Sequence, residues 1–224
     1  MYVPSHFKLD RAVCLAFAQA RGFGSVVGFD GARPQASSLP FCLSYGADGT
    51  PRAQFHVARG NPLGALAARG GHWLISVWGA DAYVSPTWYV SPDQVPTWNY
   101  ESVQLTGHVR VLPKEHLRAH LDALSEHFEQ VEGWTFDRVT AGRREMLMTA
   151  IVGIEMEVET VEGSAKLSQN KSDVDYQAVV MRLRAGGDPM AQQIAARMVA
   201  LRSHLFAHGP GEVATGSPKD HAQV

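Results

Sequence analysis

Two short segments set aromatic rings beside hydroxyls and an amide: Ser85, Pro86, Thr87, Trp88, Tyr89 and Val95, Pro96, Thr97, Trp98, Asn99, Tyr100. Upstream, His56, Arg59 and Asn61 crowd one polar stretch; far downstream, Lys166, Ser168, Gln169 and Asn170 crowd another. Rings stack on flat ligands, amides read heterocycle edges, and cations hold phosphate. Neither tryptophan-bearing segment contains an acid, a thiol or a histidine, so neither offers a nucleophile or a proton-transfer group. They read as walls, and no catalytic residue is assigned. The whole collection suits a planar, hydrogen-bonding, phosphate-bearing ligand. Flavin mononucleotide (FMN) has all three properties.

Each cluster also admits a plainer role. Arg59 stands where a strand gives way to a helix, so it could clamp a phosphate with help from backbone amides. It could equally be solvated at a turn, with Asn61 capping a helix begun at Pro62. Thr97 and Asn99 are the ligand candidates of their segment, while Trp88, Trp98 and Tyr100 also suit a barrel core or a subunit contact. Lys166, Gln169 and Asn170 could address a flavin ring or its ribityl chain, or form a solvated loop with Asn170 capping a helix from about Ser172.

The ten histidines raise the question of a metal. His116, His120 and His127 share one predicted helix but lack the carboxylate of an HExxH arrangement, so a solvated helix face is expected and no metal site. His108 is expected half-buried in a strand.

The elements that must position these residues follow from periodicity. Asp10 is a plausible N-cap for a helix to about Ala20, with Val13, Leu15, Phe17 and Ala20 turned inward and Gly22 stopping it. From Ser25 the texture becomes β: runs at 25–30, 39–45, 52–58, 72–79 and 102–112 are rich in Val, Phe, Leu and Trp and are mostly separated by Gly, Pro and Asp. Pro62 opens a short helix to about Ala68, and Pro113 opens another carrying Leu117, Leu121, Leu124 and Phe128. Helix is also expected over 143–150, a strand with one wet face over 152–161, and a last amphipathic helix over 190–205. Helices that interrupt strands without regular alternation argue against a doubly wound sheet. The class is α+β, with closely spaced strands closing into a barrel. One domain over residues 1–206 is expected, and a disordered tail over 207–224.

Composition narrows the function classes. A chain of 224 residues, 45% hydrophobic, can bury a sizeable core. Lys plus Arg number 20 against 22 acidic residues, a balance of −2 that is a poor footprint for an autonomous DNA binder. Two cysteines without ligand spacing exclude a disulfide framework and point to reduced thiols in the cytoplasm. No apolar run reaches the roughly 18 to 20 residues of a membrane crossing, and no export signal is expected.

The polar clusters also carry a family resemblance. HVARGNP (56–62), AYVSPTWY (82–89), VPTWNY (95–100), IVGIEMEV (151–158) and KLSQN (166–170) occur in the order seen in PaiB-type FMN-binding negative transcriptional regulators, whose opening MYVPSHF also resembles. The likeness runs from Met1 to about Arg184. It implies a flavin split-barrel with peripheral helices and a C-terminal helical segment, usually dimeric, with FMN at or near the subunit interface. On this chain it implies cofactor contacts from His56, Arg59, Asn61, Ser85, Trp88, Thr97, Trp98, Asn99, Lys166, Gln169 and Asn170.

Two departures are expected to touch the pocket wall. Gly163 to Lys166 stands where members tend to carry a second Lys and a Trp, and Phe55 replaces a frequent Gly. The function implied is a dimeric FMN-binding protein, its flavin a ligand, sensor or redox group, with DNA a possible partner that the net charge does not favour. A second reading is an FMN-dependent oxidoreductase or haem-handling enzyme on the same barrel, although neither a dinucleotide fingerprint nor a convincing axial histidine is present. A third is a barrel dimer whose flavin site has decayed.

Overall fold

A computed structural model describes residues 1–129 and 133–207. The tail expected from 207 onward lies, from residue 208, outside the described residues. In chain order the elements are α1 (Arg11–Arg21), β1 (Phe23–Phe29), β2 (Pro34–Pro40), β3 (Cys42–Tyr45), β4 (Pro51–Ala58), α2 (Pro62–Ala67), β5 (His72–Val84), β6 (Thr97–Val111), α3 (Leu117–Phe128), α4 (Ala141–Thr149), β7 (Ile151–Lys166), α5 (Asp173–Ala185) and α6 (Pro189–Leu201). The seven strands form one sheet in the order β2-β1-β5-β6-β7-β4-β3. Among the described residues no helix is long and apolar enough to cross a membrane.

Two compact units divide the chain: Met1–Gly79 with Tyr100–Lys166, and Ala80–Asn99 with the residues from Leu167 onward. In the first, α1 starts after Asp10 and ends at Gly22, whose φ of 55° is left-handed backbone that glycine adopts without penalty. Its inward face is Cys14 and Ala18, four residues apart, flanked by the half-buried Leu15 and Phe17. Val13 and Ala20, expected inside, are exposed. The buried stripe runs beside the one that hydrophobicity alone picks out, because the small Cys14 and Ala18 let the helix lie close to the sheet.

The core of this unit is built by β4, β5, β6 and β7, with Phe55, Ile75, Leu105, Ile154 and Met156 fully buried. Each such side chain contributes roughly 1.5 to 3 kcal/mol. Pro51, Ala53, Phe55 and Val57 alternate inward on β4 with half-buried neighbours, as a strand requires. On β7, by contrast, Gly153, Ile154, Glu155 and Met156 are buried in succession. The expectation of one wet face therefore fails there: Leu112 and Leu117 pack over Gly153, so both faces of that stretch are covered.

At the two family departures, Phe55 and Gly163 are packed inside the unit. Phe55 is core, with its ring centroid 6.4 Å from that of Trp73. Gly163 packs against α1, where an added Cβ would lie 2.3 Å from Cys14 Sγ. The same stretch receives the N-terminal segment, through Leu9 N donating to Gly163 O at 3.0 Å.

The second unit rests on α5 and α6. Tyr176, Val179, Val180 and Leu183 are buried with Ile194, Ala195 and Met198, and the Tyr176 hydroxyl donates to Met198 O at 2.8 Å. Ser172 caps α5 by accepting from Asp175 N, so the capping role does not fall to Asn170. The Asp175 carboxylate accepts from Val90 N at 2.7 Å and Ser91 N at 3.0 Å. Burial works against its charge, yet these amides hold the carboxyl below its ordinary range. The final helix is shorter than expected, α6 giving way to a 3-10 turn over Ser203–Leu205.

Candidate functional site

The first unit holds His56, Arg59, Asn61 and Lys166. Arg59 follows β4 directly. Its amide donates to Ala150 O at 2.8 Å, its Nε to Thr149 O at 2.7 Å and its Nη2 to Ile151 O at 3.3 Å. These bonds fasten the β4 end to the turn between α4 and β7, beside a cavity of about 240 Å³ that Arg59 lines. Arg59 and Lys114 are the cations on its wall, beside Val111, Leu112 and Leu117. Two cations on a largely apolar wall suit the anionic end of a ligand.

Asn61 caps α2. Its Oδ1 accepts from Leu63 N at 2.9 Å, its carbonyl from Gly64 N at 3.0 Å, and its Nδ2 donates to Ser37 Oγ at 3.0 Å. Pro62 has no N–H, so the first-turn amides of α2 are already engaged. A phosphate beside Arg59 would therefore rest on side-chain charge, with no share from this helix end. Lys166 closes β7 opposite Tyr100 in the ladder and is half-buried.

His56, half-buried on β4, meets a residue that sequence reasoning misplaced. His120, expected on a solvated helix face, is 1% exposed. Its Nε2 lies 3.1 Å from His56 Nδ1 and its Nδ1 lies 3.8 Å from Cys42 Sγ, while that thiol donates to Gln54 O. One proton arrangement satisfies every member: His56 donates to His120, His120 to Cys42, and Cys42 to the carbonyl. It requires the His120 ring to be neutral, since one of its nitrogens accepts while the other donates. Burial, then the neighbouring His56, pushes the His120 pKa down to about 4; burial also lowers that of His56 and raises the Cys42 thiol to about 11.

The second unit holds the remaining candidates. Ser85 caps the 3-10 turn Pro86–Trp88 by accepting from Thr87 N at 3.3 Å. Trp88 is half-buried and lines a cavity of about 270 Å³ with Tyr83, Arg182 and Asp188. Trp98 is 53% exposed and stands edge-on to Tyr83, centroids 5.9 Å apart. Thr97 opens β6. Asn99 is fully buried: its Nδ2 donates to Ser168 Oγ at 3.0 Å and lies 3.5 Å from Met198 Sδ.

That amide holds the turn in which Ser168 adopts a φ of 61°, a conformation costly for any residue with a Cβ. Gln169 closes the same turn, its Oε1 accepting from Leu167 N at 2.7 Å. Asn170 is exposed. The structure thus joins Asn99 to the KLSQN turn and Trp98 to Tyr83, pairings that spacing along the chain does not reveal. His108, expected half-buried, is exposed.

These donor sets fit FMN. A cation pair over one cavity matches a phosphate, and a largely exposed ring such as Trp98 offers the flat surface that an isoalloxazine stacks on.

Comparison with known proteins agrees. Residues 1–160 match the family described as "Putative FMN-binding domain". Over 201 residues the chain is 32% identical to the "Protease synthase and sporulation protein PAI 2" of Bacillus subtilis, covering 88% of this chain and 96% of that one. Among solved structures it is similar to a FAD and heme binding protein from Mycobacterium smegmatis, with a TM-score of 0.56 and 18% identity over 75% of this chain and 78% of that one. A flavocytochrome from Azotobacter vinelandii gives a TM-score of 0.52 and 16% identity over 73% and 72%. These two likenesses show the fold, an α+β flavin split-barrel with added helices. The chain belongs to the PaiB-type FMN-binding family, and its cofactor is FMN.

Proposed function

We propose that the protein acts as a cytoplasmic homodimer whose FMN serves as ligand, sensor or redox group in a regulatory role, as its resemblance to the PaiB-type negative transcriptional regulators implies. Arg59 meets the cofactor phosphate. The observation that carries this assignment is the placement of Arg59 and Lys114 on one cavity, with Arg59 held in position by two carbonyls. At about 240 Å³ that cavity falls short of the roughly 300 to 1,000 Å³ typical of cofactor pockets. A second copy of the chain supplies the remainder.

The proposal extends to His56, Asn61 and Lys166 in the first unit. In the second it covers Ser85, Trp88, Thr97, Trp98, Gln169 and Asn170, with Asn99 acting through the Ser168 turn. Bound FMN supplies one- and two-electron chemistry, while the chain positions it and tunes its surroundings. Two buried free thiols support a reducing compartment. Exposed rings at Trp78, Tyr83 and Trp98 support burial against a second copy.

Titration of Arg59→Ala with FMN and with riboflavin tests the assignment. Loss of a charge-assisted contact weakens FMN roughly ten- to hundredfold. Riboflavin, lacking the phosphate, should bind as before. Because Arg59 also fastens Thr149 and Ile151, general loosening of the fold would weaken both ligands alike, and that result would refute the phosphate role.

A further inference from the structure

An exposed face of the first unit carries a cluster that the flavin reading leaves unused. His72 begins β5, His108 lies on β6 and Glu159 on β7, three strands adjacent in the sheet. His72 Nε2 is 2.9 Å from Glu159 Oε2, and the two imidazole centroids are 4.1 Å apart. One ligand atom from each residue falls within 4.8 Å of the others, and all three side chains are exposed.

The backbone is shaped to bring them together. In the β6–β7 ladder Thr106 pairs with Thr160 and Gly107 with Val158, which leaves Glu159 as the extra residue of a bulge. A bulge re-aims the side chain it frees from the ladder. Position 107 must be glycine for this bulge to form, since an added Cβ would lie 1.7 Å from Glu157 O. On the other side, His72 follows Gly70 and Gly71, whose φ values of 69° and 116° belong to glycine, and Val109 N donates to Gly71 O at 3.0 Å. That bond sets the residue before His72 against the residue after His108.

We propose that His72, His108 and Glu159 form a binding site for one divalent transition-metal ion of the zinc type, separate from the flavin residues. Two imidazoles and one carboxylate are a common set for a three-ligand zinc centre, and the remaining coordination falls to water. Ligand atoms around such an ion lie about 2.0 to 2.2 Å from it, which puts them roughly 3 to 3.5 Å from one another. Rotation of exposed side chains closes the present spacing to that figure. Imidazole ligands select zinc, cobalt, nickel or copper over magnesium and calcium, which prefer all-oxygen shells. A plain ion pair between His72 and Glu159 accounts for two of the residues. It gives no account of the second ring over the first, or of a bulge that requires Gly107.

The test is calorimetric titration of the full FMN-loaded chain with ZnCl2 in a non-chelating buffer, for the unaltered protein, His108→Ala, Glu159→Gln and the control His116→Ala. The unaltered protein and the control should take up one ion per chain, and the two cluster variants should bind at least about tenfold more weakly. Magnesium at equal concentration should give no binding heat. Unchanged FMN titrations and circular dichroism in the variants separate the result from loss of fold and from any error in the flavin assignment. Absence of zinc binding, or equal affinity in folded cluster variants, overturns the proposal, because the ion is then held elsewhere or not at all.

Discussion

His120 shows how a polar residue type can hide a position that helical periodicity turns inward. It lies three residues after Leu117 and four before Leu124, on the apolar stripe of α3, and its partners His56 and Cys42 come from 64 and 78 residues away. Helical spacing puts it on the inward face, but nothing local shows the partners that let a histidine be buried there. The place of Arg59 was legible because the sequence itself displays the strand-to-helix junction between β4 and α2. The buried histidine has a measurable consequence. Its folded pKa of about 4 lies below the 6.5 of an unconstrained imidazole, so the unfolded chain binds the extra proton first as pH falls. The stability contribution is fully present above about pH 6.5 and is lost progressively toward pH 4, amounting to about 3 kcal/mol over the interval. Urea unfolding at pH 7.5 and pH 5 should show it, since most carboxylates stay ionised over that span. His120→Leu should flatten the decline. An equal decline in both proteins would show that other groups carry it.

At the scale of elements, the start of α1, the short α2 after Pro62 and the alternation along β4 were all legible, because a cap, a proline and a period of two act locally. Strand β2 was largely not. Its sequence Pro-Gln-Ala-Ser-Ser-Leu-Pro has no apolar alternation, and it forms because its whole length pairs with β1 at the sheet edge. The last residues of β7 were hidden in the same way: Glu162, Gly163 and Ser164 resemble a loop, yet the ladder pairs them with Gln104, Val103 and Ser102. Gly163 there is a packing requirement. A methyl group at that position meets the Sγ of Cys14, which is fully buried on α1. Gly163→Ala should therefore cost about 1 to 3 kcal/mol through overpacking. Adding Cys14→Ala should recover part of the loss, a coupling that a double-mutant cycle of urea midpoints measures directly. Strictly additive losses would mean that the helix shifts aside without strain.

For the molecule as a whole, the charges decide how far the regulatory reading can extend to direct DNA contact. The formal balance is −2, and the structure spends many of its arginines internally. Arg110 holds Glu155, Arg118 holds Asp122 and Asp137, Arg144 also holds Asp137, and Arg202 holds Asp173. A guanidinium already facing a carboxylate releases few counterions when it meets a phosphate, and counterion release supplies most of the affinity of nonspecific DNA binding. The late helices carry Arg182, Arg184 and Arg197, with Arg202 capping α6, but α6 begins with Pro189 and buries Ala191, Ile194, Ala195 and Met198. It lacks the basic, groove-filling face of a recognition helix. A dimer of twice 24.4 kDa, the mass expected from light scattering, doubles the acidic excess along with the basic groups. Titration against promoter-length DNA should accordingly give only weak binding at about 50 mM salt and none in the micromolar range at about 200 mM. Regulation would then run through a partner or through the redox state of the flavin. Tight, sequence-selective binding at both salts would instead require a basic surface assembled by the dimer, and would make the protein a repressor in its own right.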